Sequence, residues 1–452
     1  MRPGLAIDLS PLRSNPQFRV LFTGGLITSL GSMVTYVAVP FQVAQITGSY
    51  VAVGLIGLAE LLPLVLFGLY GGSLADRLDK RRVVLAGEAA AFLLSATLCV
   101  NALLPEPSLP ALYVVAMLFA AVDGLQRPSL DAILPRVVSS DELSAAGALN
   151  SLRGNLSAIA GPAVGGLVLA AAGPAAAYGL DALSFVASIA ILWRLSPIPA
   201  VASDAAEQSL RHIASGMRYA WSRKDIMGTY AVDLAAMTFA FPFALFPFIA
   251  EEYGAPWALG LLYSAGFVGG ALFGLTSGWT PRIRHHGRAI ALAAACWGSA
   301  IALAGFAPSI WWVLGMLAIA GFFDMMSGHF RQLMWNQSIP DDVRGRMAGM
   351  ELLSYSIGPL LGQVRSTTAA QFLGLRASLV TGGIACVAAV GLACMAFPAM
   401  WRYDAGRDAD VARGRREQER GEADRAEDRE ADRAGDREAD HAEDREADTG
   451  TA

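Results

Sequence analysis

The sequence predicts an all-α membrane protein with twelve transmembrane helices in two pseudo-symmetric six-helix bundles. Hydrophobic residues make up 54% of the 452, and the mean hydropathy is +0.44, above the range of a soluble domain of this length. Twelve stretches of about 20 apolar residues are each long enough to cross about 30 Å of hydrocarbon as a helix. Their near-continuous apolarity excludes the alternating pattern of a membrane barrel.

The twelve predicted helices follow one another along most of the chain. They cover residues 18–44, 50–71, 83–104, 111–131, 145–171, 175–195, 225–250, 257–279, 288–307, 310–331, 346–371 and 376–400. The polar residues Arg13 and Asn15 precede the first helix, and no small-residue cleavage site follows it, which predicts a retained helix rather than a signal peptide. All four cysteines fall inside these helices, so we expect neither a disulfide framework nor a metal site.

Positive charge is divided unevenly between the two sets of loops. Alternate loops, counted from the N-terminus, hold 20 Lys and Arg residues, whereas the opposite loops hold only Arg365 and Arg376. Because basic loops resist translocation, both termini are predicted to be cytoplasmic, with residues 1–17 as the N-terminal segment. Arg outnumbers Lys 32 to 2, a bias that suggests a GC-rich bacterial genome and hence a bacterial cytoplasmic membrane.

Two distant stretches resemble each other and predict an internal repeat. "DELSAAGALNSLRGNLSAIAGPAVGG" at 141–166 is similar to "DDVRGRMAGMELLSYSIGPLLGQ" at 341–363, and Asp123 has a counterpart in Asp324. The offset is about 200 residues throughout, as two fused half-transporters would give. The predicted bundles therefore comprise residues 18–195 and residues 225–400.

The segments outside the two bundles are predicted to be cytoplasmic. The linker, 196–224, contains "LRHIASGMRYAW", whose apolar residues share one helical face, so we expect an amphipathic interfacial helix there. The tail, 401–452, repeats acidic octets such as "EADRAEDR" and has almost nothing apolar to bury. A disordered acidic tail is the expectation for it.

A charged segment follows the second predicted helix. "GGSLADRLDKRRVV" at 71–84 places six charged residues in the seven positions from Asp76 to Arg82. Together with twelve helices in two like halves, its "GxLADRxxKRR" pattern resembles the major facilitator superfamily over residues 9–400. "NPQFRVLF", "VAVPFQVAQ" and "NALLPEPSL" are similar to the siderophore exporters and drug-efflux members of that superfamily, which usually have Gly where this chain has Asp79.

The resemblance implies a gating role for this loop. It suggests that Asp76 sits at a helix N-terminus of the other half in the outward-facing state, where a carboxylate is stabilised by about 0.3–1 kcal/mol. Arg77 or Lys80 would then reach Asp131 on the fourth helix. A simpler alternative is a basic anchor in which Asp76 has no role. The predicted gating residues are Gly72, Asp76, Arg77, Lys80, Arg81 and Asp131.

Ionisable residues inside the predicted helices form a second set of candidates. Each costs at least about 2.5 kcal/mol in hydrocarbon, so we expect them to face a central cavity, paired or hydrated. The proton-coupling or substrate candidates are Glu60, Asp123, Arg127, Arg153, Asp233, Asp324 and Glu351. Asp123 and Arg153 could form either a static ion pair or part of the coupling machinery. Glu60, Asp233, Asp324 and Glu351 have no evident partner in the sequence, so they could load and release a proton.

Two apolar motifs are open to two interpretations each. "GPAVGG", with Gly161, Pro162, Gly165 and Gly166, resembles the bend motif of exporters in the superfamily, and it could equally serve helix packing alone. "TFAFPFALFPF" at 238–248 could line a cavity or gate, or could pack against lipid.

The function that these features predict is proton-driven export of a small molecule. No phosphate-binding loop exists, because the only lysines, Lys80 and Lys224, follow Asp79 and Arg223 rather than glycine. We expect no enzyme activity, cofactor or nucleic-acid partner, and a monomer whose partners are the substrate, protons and the lipid bilayer. The resemblance suggests an enterobactin-like siderophore as substrate; multidrug efflux is the main alternative, and a non-transporting receptor or scaffold is a more remote one.

Overall fold

The computed structural model describes residues 8–199, 221–339 and 341–406, without the side chains of 69, 72–76 and 341–356. The amphipathic helix predicted in the linker and most of the acidic tail lie outside the described residues. The described part of the chain consists of long helices joined by short loops.

The first half of the chain begins with a short helix at Ser10–Ser14, followed by four separate long helices. They are α1 (Pro16–Thr47), α2 (Tyr50–Arg77), α3 (Lys80–Leu103) and α4 (Leu109–Val137). The Asn15 side chain accepts hydrogen bonds from the backbone of Gln17 and Phe18 and so caps α1. Gly48, with a φ of 60°, ends α1 in the left-handed conformation that glycine adopts at least cost.

The fifth helical segment, Leu143–Leu192, contains a turn at Gly173. This residue has φ 76° and ψ −177°, which breaks the helix and is accessible to glycine, and Pro174 follows it. Gly24 of α1 faces Leu192, and Gly31 faces Ser184, so the chain runs antiparallel to α1 after the turn. We therefore divide the segment into α5 (residues 143–172) and α6 (residues 174–192).

The second half supplies six more long helices. They are α7 (Lys224–Ala240), α8 (Leu259–Thr276), α9 (His286–Ala304), α10 (Ile310–Ser338), α11 (Asp341–Leu373) and α12 (Leu375–Ala396). Ten helical segments of the described chain are long and apolar enough to cross a membrane, and Leu143–Leu192 counts as one of them. The predicted all-α fold class is confirmed, and the arrangement is consistent with twelve spanning helices.

The helix α7 is interrupted where the sequence predicted one continuous span over 225–250. Its regular part ends at Ala240, and a turn at Phe243–Leu245 and a short helix at Phe246–Glu252 follow. Pro242 has no N–H to donate, so the chain cannot continue its helical hydrogen bonds through this point. Non-helical backbone at this depth requires that the freed carbonyl groups find other donors.

Arg365 of α11 supplies such a donor. Its Nη1 donates to the Phe239 carbonyl at 2.8 Å, and its Nη2 donates to the Ser378 carbonyl of α12 at 2.9 Å. The guanidinium thus joins three helices of the second half. Counting Arg365 as a loop charge was wrong, because the cost of placing it inside a helix is offset by these carbonyl groups.

Replacing Arg365 by leucine should lower the free energy of unfolding by about 2 kcal/mol, since hydrogen bonds to a charged donor contribute roughly 1.5–3 kcal/mol. The measurement is the Tm of the purified protein. Arg376→Leu is the matched control, because its ion pair with Glu252 is largely exposed and such pairs contribute about 0–1 kcal/mol. Equal Tm values for the two variants would contradict this role of Arg365.

The two halves meet near the end of the bundle opposite the chain termini. We call this the distal end; it holds the turn between α1 and α2, and the other end is the proximal end. A Cβ atom on Gly166 of α5 would lie 2.7 Å from the Cα of Gly260 of α8, and a Cβ on Gly54 of α2 would lie 2.9 Å from the Thr367 Cβ of α11. The α5–α8 and α2–α11 contacts are equivalent when the halves are exchanged, as the internal repeat predicts.

Candidate functional site

A group of polar side chains lies inside the protein yet remains accessible to solvent. Tyr36 is 40% exposed although its ring contacts Tyr263 of the other half, and Glu60, which acts electrostatically on Tyr36, is half-buried. Asp123 is exposed and Asp324 is half-buried. Asp123 and Asp324 are the central residues of the 29-residue helices α4 and α10. We infer from the accessibility of these polar groups at mid-helix depth that they line a cavity between the two halves.

An aromatic cluster crosses from the second half to the first at the distal side of these groups. Tyr263 of α8 lies 5.6 Å from Tyr36 of α1, measured between ring centroids, with the rings nearly perpendicular. On its other side it lies 4.9 Å from Phe246 and 5.6 Å from Phe243. Such edge-on pairs contribute about 0.5–1.5 kcal/mol beyond the burial of their area.

The phenylalanines of "TFAFPFALFPF" accordingly face the protein interior. Phe246 is 0% exposed and Phe248 is 7% exposed, so these two do not pack against lipid. The ring of Phe248 lies 4.3 Å from that of Tyr50 of α2, which is a second aromatic contact between the halves. Of the two interpretations of this motif, the gate-lining one fits the structure.

The charged residues of α4 form a ladder along one exposed face, because an interval of four residues places them about one helical turn apart. Arg127 Nη1 lies 3.8 Å from Asp123 Oδ2, and Arg127 also acts electrostatically on Asp131. The alternative ion pair between Asp123 and Arg153 is not present. The intervals of four residues within α4 bring Arg127 to Asp123 through local geometry alone.

Arg153 of α5 lies instead against α1. Its guanidinium occupies the space beside Gly25, where a Cβ atom would collide with Nη1. The side chain is half-buried, and its Nε is buried without a hydrogen-bond partner among the described residues. A guanidinium group with an unused N–H donor can bind an anionic group of a substrate.

Asp233 of α7 forms an ion pair with Arg331 of α10, with the Asp233 side chain 8% exposed and the Arg331 side chain 17% exposed. Asp324 interacts electrostatically with both residues. The prediction that Asp233 lacks a partner was therefore wrong. Arg331 is the last residue of the predicted helix 310–331, but α10 continues to Ser338 and so places Arg331 inside the bundle.

The described residues of the predicted gating loop contact the end of α6 in their own half. Arg81 Nη2 donates to the Trp193 carbonyl at 2.6 Å, and the Lys80 backbone N–H donates to the Ile198 carbonyl at 3.0 Å. Asp79, where the superfamily usually has Gly, caps α3 by accepting from the Arg82 backbone at 3.1 Å. Arg77 and Asp131 are exposed, and neither forms an ion pair with another described residue.

Some candidates occupy described helices while their side chains lie outside the described set. The residues concerned are Gly72 and Asp76 at the end of α2 and Glu351 in α11. Their proposed roles remain predictions.

The glycines of "GPAVGG" allow α5 to approach two helices closely. A Cβ on Gly161 would lie 3.1 Å from the Leu30 carbonyl oxygen, and one on Gly165 would lie 3.0 Å from the Val34 Cα, both on α1. Gly166 meets α8 of the other half instead. The motif therefore packs the first half together and also joins the halves at the distal end.

These features are those of a multi-pass membrane transporter built from two six-helix bundles. The model of the transmembrane secretion effector family matches residues 6–411. The chain therefore belongs to this family of the major facilitator superfamily, which is a family of transporters and not a class of enzymes.

Named relatives and solved structures agree with this assignment. The chain is 30% identical over 365 residues to the "Enterobactin exporter EntS" of Shigella boydii serotype 18 and of Escherichia coli O9:H4, covering 79% of this chain and 86% of each relative. A bacterial homologue of the iron transporter ferroportin, in an inward-facing state, superposes with TM-score 0.66 at 17% identity and covers 85% of this chain and 98% of that one. A bacterial homologue of the lysosomal transporter Spinster, inward-facing and unoccupied, gives TM-score 0.67 at 14% identity over 85% and 98%.

Proposed function

We propose that this secondary exporter moves a siderophore of the catecholate type out of the bacterial cytoplasm, as a monomer, in exchange for protons. The observation that carries the proposal is that the carboxyl groups of Glu60, Asp123 and Asp324 remain accessible near the middle of their helices, beneath an aromatic cluster. Carboxyl groups at that depth are costly, and in membrane proteins they mark the pathways of ions or substrates.

The siderophore assignment rests on the chemistry of the cavity and on the relatives. Rings such as Tyr36 and Tyr263 can stack on catechol rings, and the half-buried Arg153 guanidinium can bind a catecholate oxygen. The relatives at 30% identity are called enterobactin exporters. The same aromatic surface would also accept a lipophilic drug, which keeps multidrug efflux as the second candidate.

We take the described conformation to be inward-facing, with both termini in the cytoplasm. The inter-half contacts at Gly166 and Gly260, and at Gly54 and Thr367, support closure at the distal end. The uneven distribution of Lys and Arg supports placing the proximal end in the cytoplasm. Outward opening would separate the rings of Tyr36 and Tyr263.

A deletion strain tests the choice of substrate. Under iron starvation, we expect the strain to secrete less catecholate siderophore and to recover when the gene is restored. A panel of lipophilic drugs is applied to the same strains. Unchanged siderophore secretion together with increased drug susceptibility would overturn the siderophore proposal in favour of multidrug efflux.

A further inference from the structure

Two carboxylates lie inside the first bundle, apart from the cavity. Glu88 of α3 is 4% exposed, and Asp181 of α6 is 0% exposed. Neither takes part in an ion pair with any Lys or Arg among the described residues. An isolated buried charge is costly and is commonly neutralised by a proton or a bound cation.

Glu88 is surrounded by neutral groups from three other helices. Thr28 of α1 donates to Glu88 Oε2 at 2.7 Å, and Gln126 of α4 donates to Oε1 at 3.3 Å. Ser188 of α6 also faces this carboxyl group. Its hydroxyl is fully buried and has no hydrogen-bond partner within bonding geometry among the described residues.

Among the described residues, the side chains that hold Asp181 are hydroxyl groups alone. Its Oδ2 accepts hydrogen bonds from Thr35 of α1 at 2.5 Å and from Ser95 of α3 at 2.6 Å. Its Oδ1 lies 3.5 Å from the Ser184 hydroxyl, beside Gly31 of α1, where a Cβ atom would come within 2.8 Å. The absence of a side chain at Gly31 leaves room at this oxygen.

Each carboxyl group and the side chains that surround it form one tier, and the Glu88 tier and the Asp181 tier lie two helical turns apart, about 10.5 Å along the bundle. Each of three helices contributes one member to each tier at an interval of seven residues. The pairs are Thr28 and Thr35 on α1, Glu88 and Ser95 on α3, and Ser188 and Asp181 on α6. Since α6 runs antiparallel to the other two helices, the Glu88 tier is nearer the proximal end and the Asp181 tier nearer the distal end.

The geometry favours a proton over a metal ion. Oxygen–oxygen distances of 2.5–2.7 Å are those of direct O–H···O⁻ hydrogen bonds. A cation between the same oxygens would need its own bonds of roughly 2.0–2.6 Å to each and would push them apart. The unpartnered Ser188 hydroxyl can accept the hydrogen bond that a protonated Glu88 would donate.

We propose that Glu88 and Asp181 form a proton-binding pair inside the first bundle, separate from the substrate cavity. A hydroxyl group can donate to a carboxylate or accept from a carboxylic acid, so each tier is satisfied in both states. The described groups facing the pair from α1, α4 and α6 are hydroxyls and an amide, and the charge that acts on Asp181 is that of Glu88. Asp123 and Arg127 of α4 lie on its exposed face. The claim that the pair binds protons is independent of the proposed function. The claim that these protons are used in transport rests on it.

Infrared spectroscopy of the purified protein tests the proton-binding pair without any substrate. We expect wild-type protein at neutral pH to show a carbonyl band of buried carboxylic acid, which decreases as the pH rises. Glu88→Gln and Asp181→Asn should each remove part of that band, whereas Glu106→Gln, in an exposed loop, should leave it unchanged. A band that is identical in wild type and in both amide variants would overturn the proposal.

Two further measurements separate proton binding from folding and from transport. Ser188→Ala keeps both acids, so it should shift the pH at which the band is lost without removing the band; an unshifted titration would contradict the predicted hydrogen bond. In vesicles, the amide variants should export substrate with fewer protons per molecule. An unchanged number of protons per exported molecule would overturn only the role of the pair in transport. Wild-type export that is equally fast with and without an uncoupler would instead overturn the proposed function.

Discussion

Replacing Arg331 by methionine is expected to lower the free energy of unfolding by about 3–5 kcal/mol, because removing one member of a buried ion pair leaves a charge without its compensation. Asp233 is 8% exposed and Asp324 lies close enough to interact with it, so the variant leaves two carboxylates facing each other. Loss of the Arg331 contact with the Trp335 ring, 5.5 Å away, adds to the effect. The measurement is denaturant unfolding or the Tm in detergent.

The double variant Asp233→Asn with Arg331→Met is the control for this prediction. Removing both charges should restore most of the lost stability, since a neutral pair avoids the unpaired carboxylate. A double variant no more stable than Arg331→Met would show that packing at Arg331, rather than its charge, holds the two helices together.

Replacing Gly260 by leucine should abolish export by keeping the distal end from closing. A Cβ on Gly260 would lie 2.9 Å from the Pro162 carbonyl carbon and 3.0 Å from the Ala163 Cα, both on α5. Over-packing of this kind costs about 1–3 kcal/mol, which shifts the ratio of the two conformers by roughly five- to 150-fold. We expect siderophore secretion to fall toward that of the deletion strain.

Gly274→Leu is the matched control on the same helix. A Cβ there meets nothing within 4 Å, so export should remain near the wild-type rate. Equal export by both variants, at equal amounts of folded protein in the membrane, would exclude the α5–α8 contact as part of the closed state.

The sequence predicted the helices because apolar length decides whether a segment crosses lipid. Hydropathy could not distinguish a helix interrupted by Pro242 from a continuous one. It also could not show that Arg365 of another helix donates a hydrogen bond to the Phe239 carbonyl that the interruption leaves free. The same limit applies to Arg331, the last residue of the predicted helix 310–331. Its interval of seven residues places it two turns from Asp324 on α10, but hydropathy could not show that it pairs with Asp233 of another helix.

The site was predicted in part. Counting charges in the predicted spans identified Asp123 and Asp324 as candidates, and the structure places both at the middle of their helices, in agreement with the internal repeat. The contact between Tyr36 and Tyr263 joins residues of different halves, so no local pattern could have revealed it. The interval of seven residues between Glu88 and Ser95 is visible in the sequence. It indicates a shared helix face only when the structure shows that Asp181 and Ser188, also seven residues apart, lie opposite on α6.

The most direct test of the account is transport by the purified protein in liposomes. With an acidic lumen and a catecholate siderophore outside, protein that presents its cytoplasmic side outward should accumulate the siderophore above its external concentration. An uncoupler should abolish that accumulation, because each proton crossing down the equivalent of 100 mV supplies about 2.3 kcal/mol. Siderophore uptake that is the same with and without the proton gradient would contradict proton-driven export.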